Sequence, residues 1–219
     1  ALNAVFAIAL PLQCFALLPR IRRYRGGWAF GTLINRSVRD EPMAKAKTAA
    51  FTISEQNSYV PGGAPTVATV SIGSLIDVGD AQALEVLKVD WLIQGYDLAN
   101  NDYEPLSMAI FAAESAIGMQ LTDKNSSDLI SAADNNLIGS GNFNITAAGA
   151  TSEAADFYPD DFSRDGRFVV NDEMYMIVKG IGNFDAGKEC RVTCRVTARV
   201  VKLSTRDWMA ISLETVQNE

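Results

Sequence analysis

The chain has 219 residues, 48% hydrophobic and 21% charged, with a net charge of −7 and no histidine. That composition is globular and excludes a disordered chain, a collagen, a polytopic membrane protein and a disulfide-stapled mini-domain. The missing imidazole also removes every mechanism built on a histidine base or a histidine metal ligand.

Residues 1–18 carry no charge; Pro19 and a basic run containing Arg20, Arg22, Arg23 and Arg25 follow. Residues 1–42 hold six basic side chains, all arginine, and two acidic ones, whereas residues 43–219 hold 13 basic and 24 acidic. Three readings of 1–42 stay open: an upstream extension outside the working protein, a basic arm, and a membrane or export segment. A signal peptide places its positive charge before the apolar stretch, the reverse of this order. Read as an anchor, the arginines hold the following chain in the cytoplasm. Met43, with Lys45 and Lys47 close behind, reads as a natural start for a body spanning 43–219. That body is acidic, so any contact with phosphate falls mainly to the arginines before it.

Residues 43–66 are small and polar and include Pro61, Gly62, Gly63 and Pro65, which predicts an extended arm or first strand and then a loop. A strand is predicted over 67–78, where Val70, Ile72, Ile76 and Val78 share one parity. The alternation is clearer over 83–93. There Leu87, Val89, Trp91 and Ile93 are expected on one face, with Val86, Lys88, Asp90 and Leu92 on the other. Residues 95–104 read as a polar turn, and short strands are predicted at 107–113 and 119–122. Residues 123–165 are rich in Asn, Ser, Gly, Ala and Asp and read as a functional excursion or several short elements.

Residues 168–170 and 174–178 read as paired strands around a turn at Asn171 and Asp172. The glycines from Gly180 to Gly187 read as a hairpin connection. They resemble half of a phosphate loop, but a strand follows where that motif needs a helix. In 190–203, Cys190, Val192, Cys194, Val196, Ala198 and Val200 form one face and Arg191, Thr193, Arg195, Thr197 and Arg199 the other, so one side meets a core. Cys190 and Cys194 lie ~13 Å apart along an extended strand. A disulfide needs Cα atoms within ~7 Å, so they read as small buried side chains. Ser204 is the predicted N-cap, and Asp207 the favourable early acid, of a helix over 204–217. About eight short strands and one terminal helix predict an all-β, antiparallel two-sheet sandwich or barrel.

Few residues invite chemistry. Asp156, Asp160, Asp161 and Asp165 are dense enough to suggest a calcium loop, yet their spacing does not fit an EF-hand, and a solvated acidic loop with a turn-forming Asp-Gly is the favoured reading. Arg191, Arg195 and Arg199 recur at ~13 Å on one face. They read either as a charged solvent-facing surface or as one that meets acidic loops of a neighbouring copy.

The segments GRFVVNDEMYMIVKGIGN (166–183) and CRVTCRVTARVVKLSTRDWMAIS (190–212) resemble the C-terminal half of single jelly-roll capsid proteins of small, mostly environmental viruses. Lys202, Leu203, Ser204, Asp207 and Trp208 match the close of the long strand and the helix start, and the similarity extends over 84–213. The resemblance implies a jelly-roll β-sandwich, a non-enzymatic shell subunit whose partners are copies of itself, and a virion location. It implies no cofactor and no small-molecule substrate. Genome nucleic acid would be met by a basic N-terminal arm, here Arg20, Arg22, Arg23 and Arg25; a chain starting at Met43 keeps only Lys45 and Lys47. Subunit contacts are expected at Phe157, Tyr158, Phe162 and Phe184. Two rival readings stand beside this one. The first is a membrane-anchored or secreted β-sandwich for carbohydrate binding or adhesion. The second is a carboxylate-only hydrolase using Asp161 and Asp165.

Overall fold

The computed structural model describes residues 44–59, 64–105, 115–145, 151–154, 167–182 and 187–217. Eleven strands, one α-helix and a short 3-10 turn (Val78–Asp80) occur among them: β1 (Ala44–Ala46), β2 (Phe51–Tyr59), β3 (Thr66–Ser71), β4 (Gln82–Asp97), β5 (Asp102–Glu104), β6 (Ser115–Thr122), β7 (Leu137–Ile145), β8 (Thr151–Ala154), β9 (Arg167–Val169), β10 (Glu173–Ile181), β11 (Lys188–Leu203) and α1 (Thr205–Gln217).

Every strand pair is antiparallel. Sheet A centres on β11 and β4, with β1 and β2 on the outer side of β11 and β5 and β9 on the outer side of β4. Sheet B runs β3-β10-β6-β7-β8. Setting aside the short β1, β5 and β8 leaves β2-β11-β4-β9 facing β3-β10-β6-β7. In that set only β6 to β7 is a hairpin; every other connection passes from one sheet to the other. Eight strands wound in this order form the two Greek keys of a jelly roll.

This winding corrects two expectations. β9 pairs with β4 in sheet A while β10 pairs with β3 and β6 in sheet B, so 168–178 is not a strand pair. The glycine-rich stretch after β10 likewise leads from one sheet to the other and does not close a hairpin. Period-two alternation reports which side faces the core, and facing strands of a sandwich carry it as readily as paired ones.

The core lies between the sheets. From β11 the whole predicted apolar face enters it: Cys190, Val192, Cys194, Val196, Ala198 and Val200 are all buried. β10 contributes Met174, Met176 and Val178, and β6 contributes Ile117, Met119 and Leu121. Each full burial of such a side chain is worth roughly 1.5–3 kcal/mol. Tyr59 closes one part of the core, its ring lying where a side chain at 180 would begin. A Cβ on Gly180 would stand 2.2 Å from that ring. Only glycine permits this approach.

β4 departs from a single parity. Thr197 pairs with Lys88 and Ala198 with Val86, which leaves Leu87 as the extra residue of a bulge. Leu84 and Val86 therefore enter the core before the bulge, and Val89, Trp91 and Ile93 pack on it afterwards. Val86, expected on the opposite face, is fully buried, while Leu87 is not part of the core.

Other boundaries shift as well. β3 ends at Ser71, and the backbone turns through 73–75; Ile72 and Gly73 both donate to the Asp172 carbonyl, at 2.8 and 2.9 Å. Ile72 and Ile76 stay buried although they leave the strand. The polar stretch before residue 60 contains two strands, with Phe51 and Ile53 of β2 against the core. The strand expected over 107–113 lies outside the described residues.

Ser204 caps α1: its Oγ accepts from the Asp207 backbone N–H at 3.2 Å and donates to the Asp207 carboxylate at 2.6 Å. Trp208 and Ile211 pack on a second cluster of Ala83, Val170, Val201 and Leu203. On β4 and β11 these residues have the parity opposite to Leu84 and Val200. The helix thus covers one end of the outward face of sheet A.

Candidate functional site

The arginine row of β11 faces outward, as its parity requires, but it does not present three free charges. Arg199 forks onto Glu85 of β4 with bonds of 2.6 and 3.0 Å. Arg191 Nε bonds Glu189 at 2.6 Å, and its guanidinium stacks 3.3 Å above the Tyr96 ring. Glu189 and Glu85 hold the two guanidinium groups protonated beyond their ordinary range. Arg195 is exposed and makes no ion pair among the described residues. Lys88, Lys179, Lys188 and Lys202 are also each held by a carboxylate. Pairs of this kind cancel the charge that phosphate contact needs.

A polar and aromatic cluster occupies the end of sheet A away from α1. β4 and β5 form a hairpin whose turn ends at Asn101, in the left-handed region with φ 54°. Asp97 organises the turn, accepting from the Ala99 N–H at 2.8 Å and from the Asn100 side chain at 2.9 Å. Lys188 bridges Asp97 at 2.9 Å and Glu104 at 2.6 Å. The Lys188 bond, followed by the Ala99 N–H, pulls the Asp97 carboxyl down to about 2.

Across the hairpin, Tyr96 and Tyr103 meet edge to face, 5.1 Å between centroids. The Tyr103 hydroxyl donates to Gln56 at 3.1 Å and accepts from Arg191 at 3.2 Å; Gln56 then donates to Thr193 at 3.1 Å. Tyr103 nevertheless keeps 46% of its surface exposed. The sequence reading passed over this group as a polar turn. Its available signal was a tyrosine on each side of a short Asn-rich turn, opposite one another once the hairpin closes.

The outward face of sheet B is covered in part, over β6 and the neighbouring stretch of β10. Gln120 of β6 grips the connection that follows it: its Oε1 accepts from the Ile130 N–H at 2.8 Å, and its Nε2 donates to the Ile130 carbonyl at 2.9 Å. Lys179 of β10 holds Asp128 at 2.7 Å. Leu129 lies directly over Gly118, and Ile177, outward on β10, is fully buried. Between connection and sheet remains a cavity of about 240 Å³ lined by Ala116, Gly118, Gln120, Leu129, Asn142 and Lys179.

An ion pair with a buried carboxylate ties this connection to β9. Asp123 Oδ2 lies 3.2 Å from Arg167, which also bonds the Asn135 carbonyl; Asn171 donates to the Asp123 carbonyl at 2.8 Å. The other Asp123 carboxylate oxygen is buried and has no hydrogen-bond partner among the described residues. Burial pushes this carboxyl up to about 6, against the pull of Arg167.

Cys190 and Cys194 are free thiols inside the core, where burial raises both; that of Cys190 reaches about 12. Arg20, Arg22, Arg23 and Arg25, the acids Asp156, Asp160, Asp161 and Asp165, and Phe157, Tyr158, Phe162 and Phe184 all lie outside the described residues. Among the described residues no cluster of acids and thiols is arranged to hold a metal ion, and no helix is long and apolar enough to cross a membrane.

No protein-family model matches the chain, and no curated protein matches it. Two solved structures of turnip yellow mosaic virus contain chains similar to it. One is 13% identical with a TM-score of 0.32, covering 71% of this chain and 94% of that one. The other is 10% identical with a TM-score of 0.29, covering 72% and 96%. Scores this low do not carry function from those chains to this one.

Proposed function

We propose that the chain is a viral capsid subunit that assembles with copies of itself into a shell. The observation that carries this reading is the winding order β2-β11-β4-β9 over β3-β10-β6-β7. Five of those eight strands and most of β4 lie within residues 84–213, the segment that resembles coat proteins, and jelly rolls of this order serve as capsid domains. Fold alone does not fix function, so the remaining support is chemical. Among the described residues, Cys190 and Cys194 are sealed in the core and most basic side chains are spent on ion pairs that brace the sandwich. Such a body suits a rigid structural unit more than a reactive one.

In this reading the exposed Arg195, together with Phe157, Tyr158, Phe162 and Phe184, supplies subunit contacts, and repeated weak contacts of one kind close a symmetric shell. Genome contact belongs to Arg20, Arg22, Arg23 and Arg25, because the described sheet faces offer little free positive charge. Negative-stain electron microscopy of the expressed full chain tests the proposal. Closed particles of uniform diameter are expected. A chain that stays dispersed as single subunits across salt and pH would refute it.

A further inference from the structure

The outward face of sheet A carries an organised patch that neither the core nor the shell reading uses. Its centre is Tyr103. The ring is fixed on one side by Tyr96 and by hydroxyl bonds to Gln56 and Arg191, while nearly half its surface meets solvent. A rigid aromatic ring with an open face loses little entropy when something stacks on it. Around it, the register places Gln56, Thr193 and Leu92 in one row and Ser58, Arg191 and Gln94 in the next. Rows on one sheet face repeat at roughly 7 Å along the strands and ~4.8 Å across them, the scale of a sugar ring.

From this patch we infer that the end of sheet A around Tyr103 binds a neutral oligosaccharide. The sugar's C–H face stacks on the Tyr103 ring, and its hydroxyls meet Gln56, Ser58, Gln94 and Thr193, which offer uncharged donors and acceptors. Charge selects the class. Glu189 cancels Arg191, Asp97 and Glu104 flank Lys188, and Asp102 stands beside Tyr103. A phosphate or sialic acid at the ring finds the nearest described cations, Arg191 and Lys188, already paired and meets acidic neighbours, while Arg195, unpaired among the described residues, stands one row beyond Gln56 and Thr193. Single-stranded nucleic acid is disfavoured for the same reason, since base stacking needs a basic groove beside it. The flank of the patch, with its exposed Leu98, also resembles a site for a second copy, and the test separates that case.

The inference stands apart from shell assembly. Saturation-transfer NMR and calorimetric titration on the full chain with lactose, cellotetraose and maltotetraose, against sialyllactose, read it directly. At least one neutral sugar is expected to bind and sialyllactose to bind more weakly. Tyr103→Ala should lower the affinity by about tenfold or more, the loss of one good stacking contact. Tyr103→Phe should retain most of it. Gln94→Ala, exposed and away from the core, serves as the second variant should Tyr103→Ala fail to fold, and should weaken binding severalfold. No binding by any of the three neutral sugars overturns the inference. So does a Tyr103→Ala chain that binds sugar normally but changes its sedimentation, which would make the patch a contact between copies. Particles that form yet bind no sugar overturn this inference alone.

Discussion

On sheet B the connection 123–136 folds back over the outward face of β6 and β10, held by Gln120 and Lys179, and Ile177 of that face is fully buried. On sheet A the outward rows of β2, β11 and β4 stay open between α1 at one end and the Tyr103 cluster at the other, and Arg195 projects from their middle. Both faces are written by the same every-second-residue pattern. What differs is whether a long connection has side chains on the sheet to bind it. Small residues at Ala116 and Gly118 make room above sheet B, and Gln120 supplies both a donor and an acceptor to the arriving backbone. Sheet A offers longer polar side chains that satisfy one another, so no cover is needed.

The largest expected effect sharpens the frame that both faces share. Gly180→Ala forces a Cβ into the Tyr59 ring and should cost about 3 kcal/mol, read as a shift in the urea midpoint. An unchanged midpoint would show that Tyr59 does not seal the core there. Next, Gln120→Ala frees the cover of sheet B. Losing both bonds to Ile130 should cost about 2 kcal/mol and speed exchange of the Ile130 amide proton, while β11 amides stay protected.

Asp123 predicts a pH signature of comparable size at the start of that cover. Its carboxyl sits at about 6 in the folded chain against 3.8 as a free group, so the folded state binds the proton more tightly. Its contribution is complete below pH 3.8 and is lost as the pH rises through about 6. Asp123→Asn should flatten stability across that window, and a slope that survives the substitution would assign it elsewhere. Asp97, held at about 2, works in the opposite sense: its contribution is present above pH 3.8 and lost toward pH 2. The smallest effect belongs to the open face. Arg195→Ala should change folding stability by less than ~0.5 kcal/mol, because nothing described depends on it. A loss as large as that of Gln120→Ala would erase the distinction between the two faces.

The sequence made some of this legible. β11 alternates without a break, so its core face and outward face could be assigned residue by residue, and Ser204 with Asp207 marked the start of α1. β4 was legible only after Leu87, because a bulge reverses parity without any residue that announces it. β2 fell within the stretch read as an extended arm or first strand, but its outward Thr, Ser and Gln concealed the inward Phe51 and Ile53, so its faces were not assigned. β7 escaped notice for the opposite reason: Gly139, Ser140, Gly141 and Asn142 have little strand preference of their own, and β6 and β8 hold them in line. The Gln120 clamp and the Asp123–Arg167 pair join residues 10 and 44 apart in sequence, and no local pattern encodes them. Tyr103 becomes a platform only when the turn at 98–101 brings it back over Arg191.

Sedimentation velocity of the full chain most directly tests the claim that this sandwich builds a shell. The account predicts one sharp, fast species of discrete mass that persists over a range of concentration and disperses only when contacts between copies are broken. A single slow boundary at the mass of one chain, unchanged by salt, pH or concentration, would contradict it.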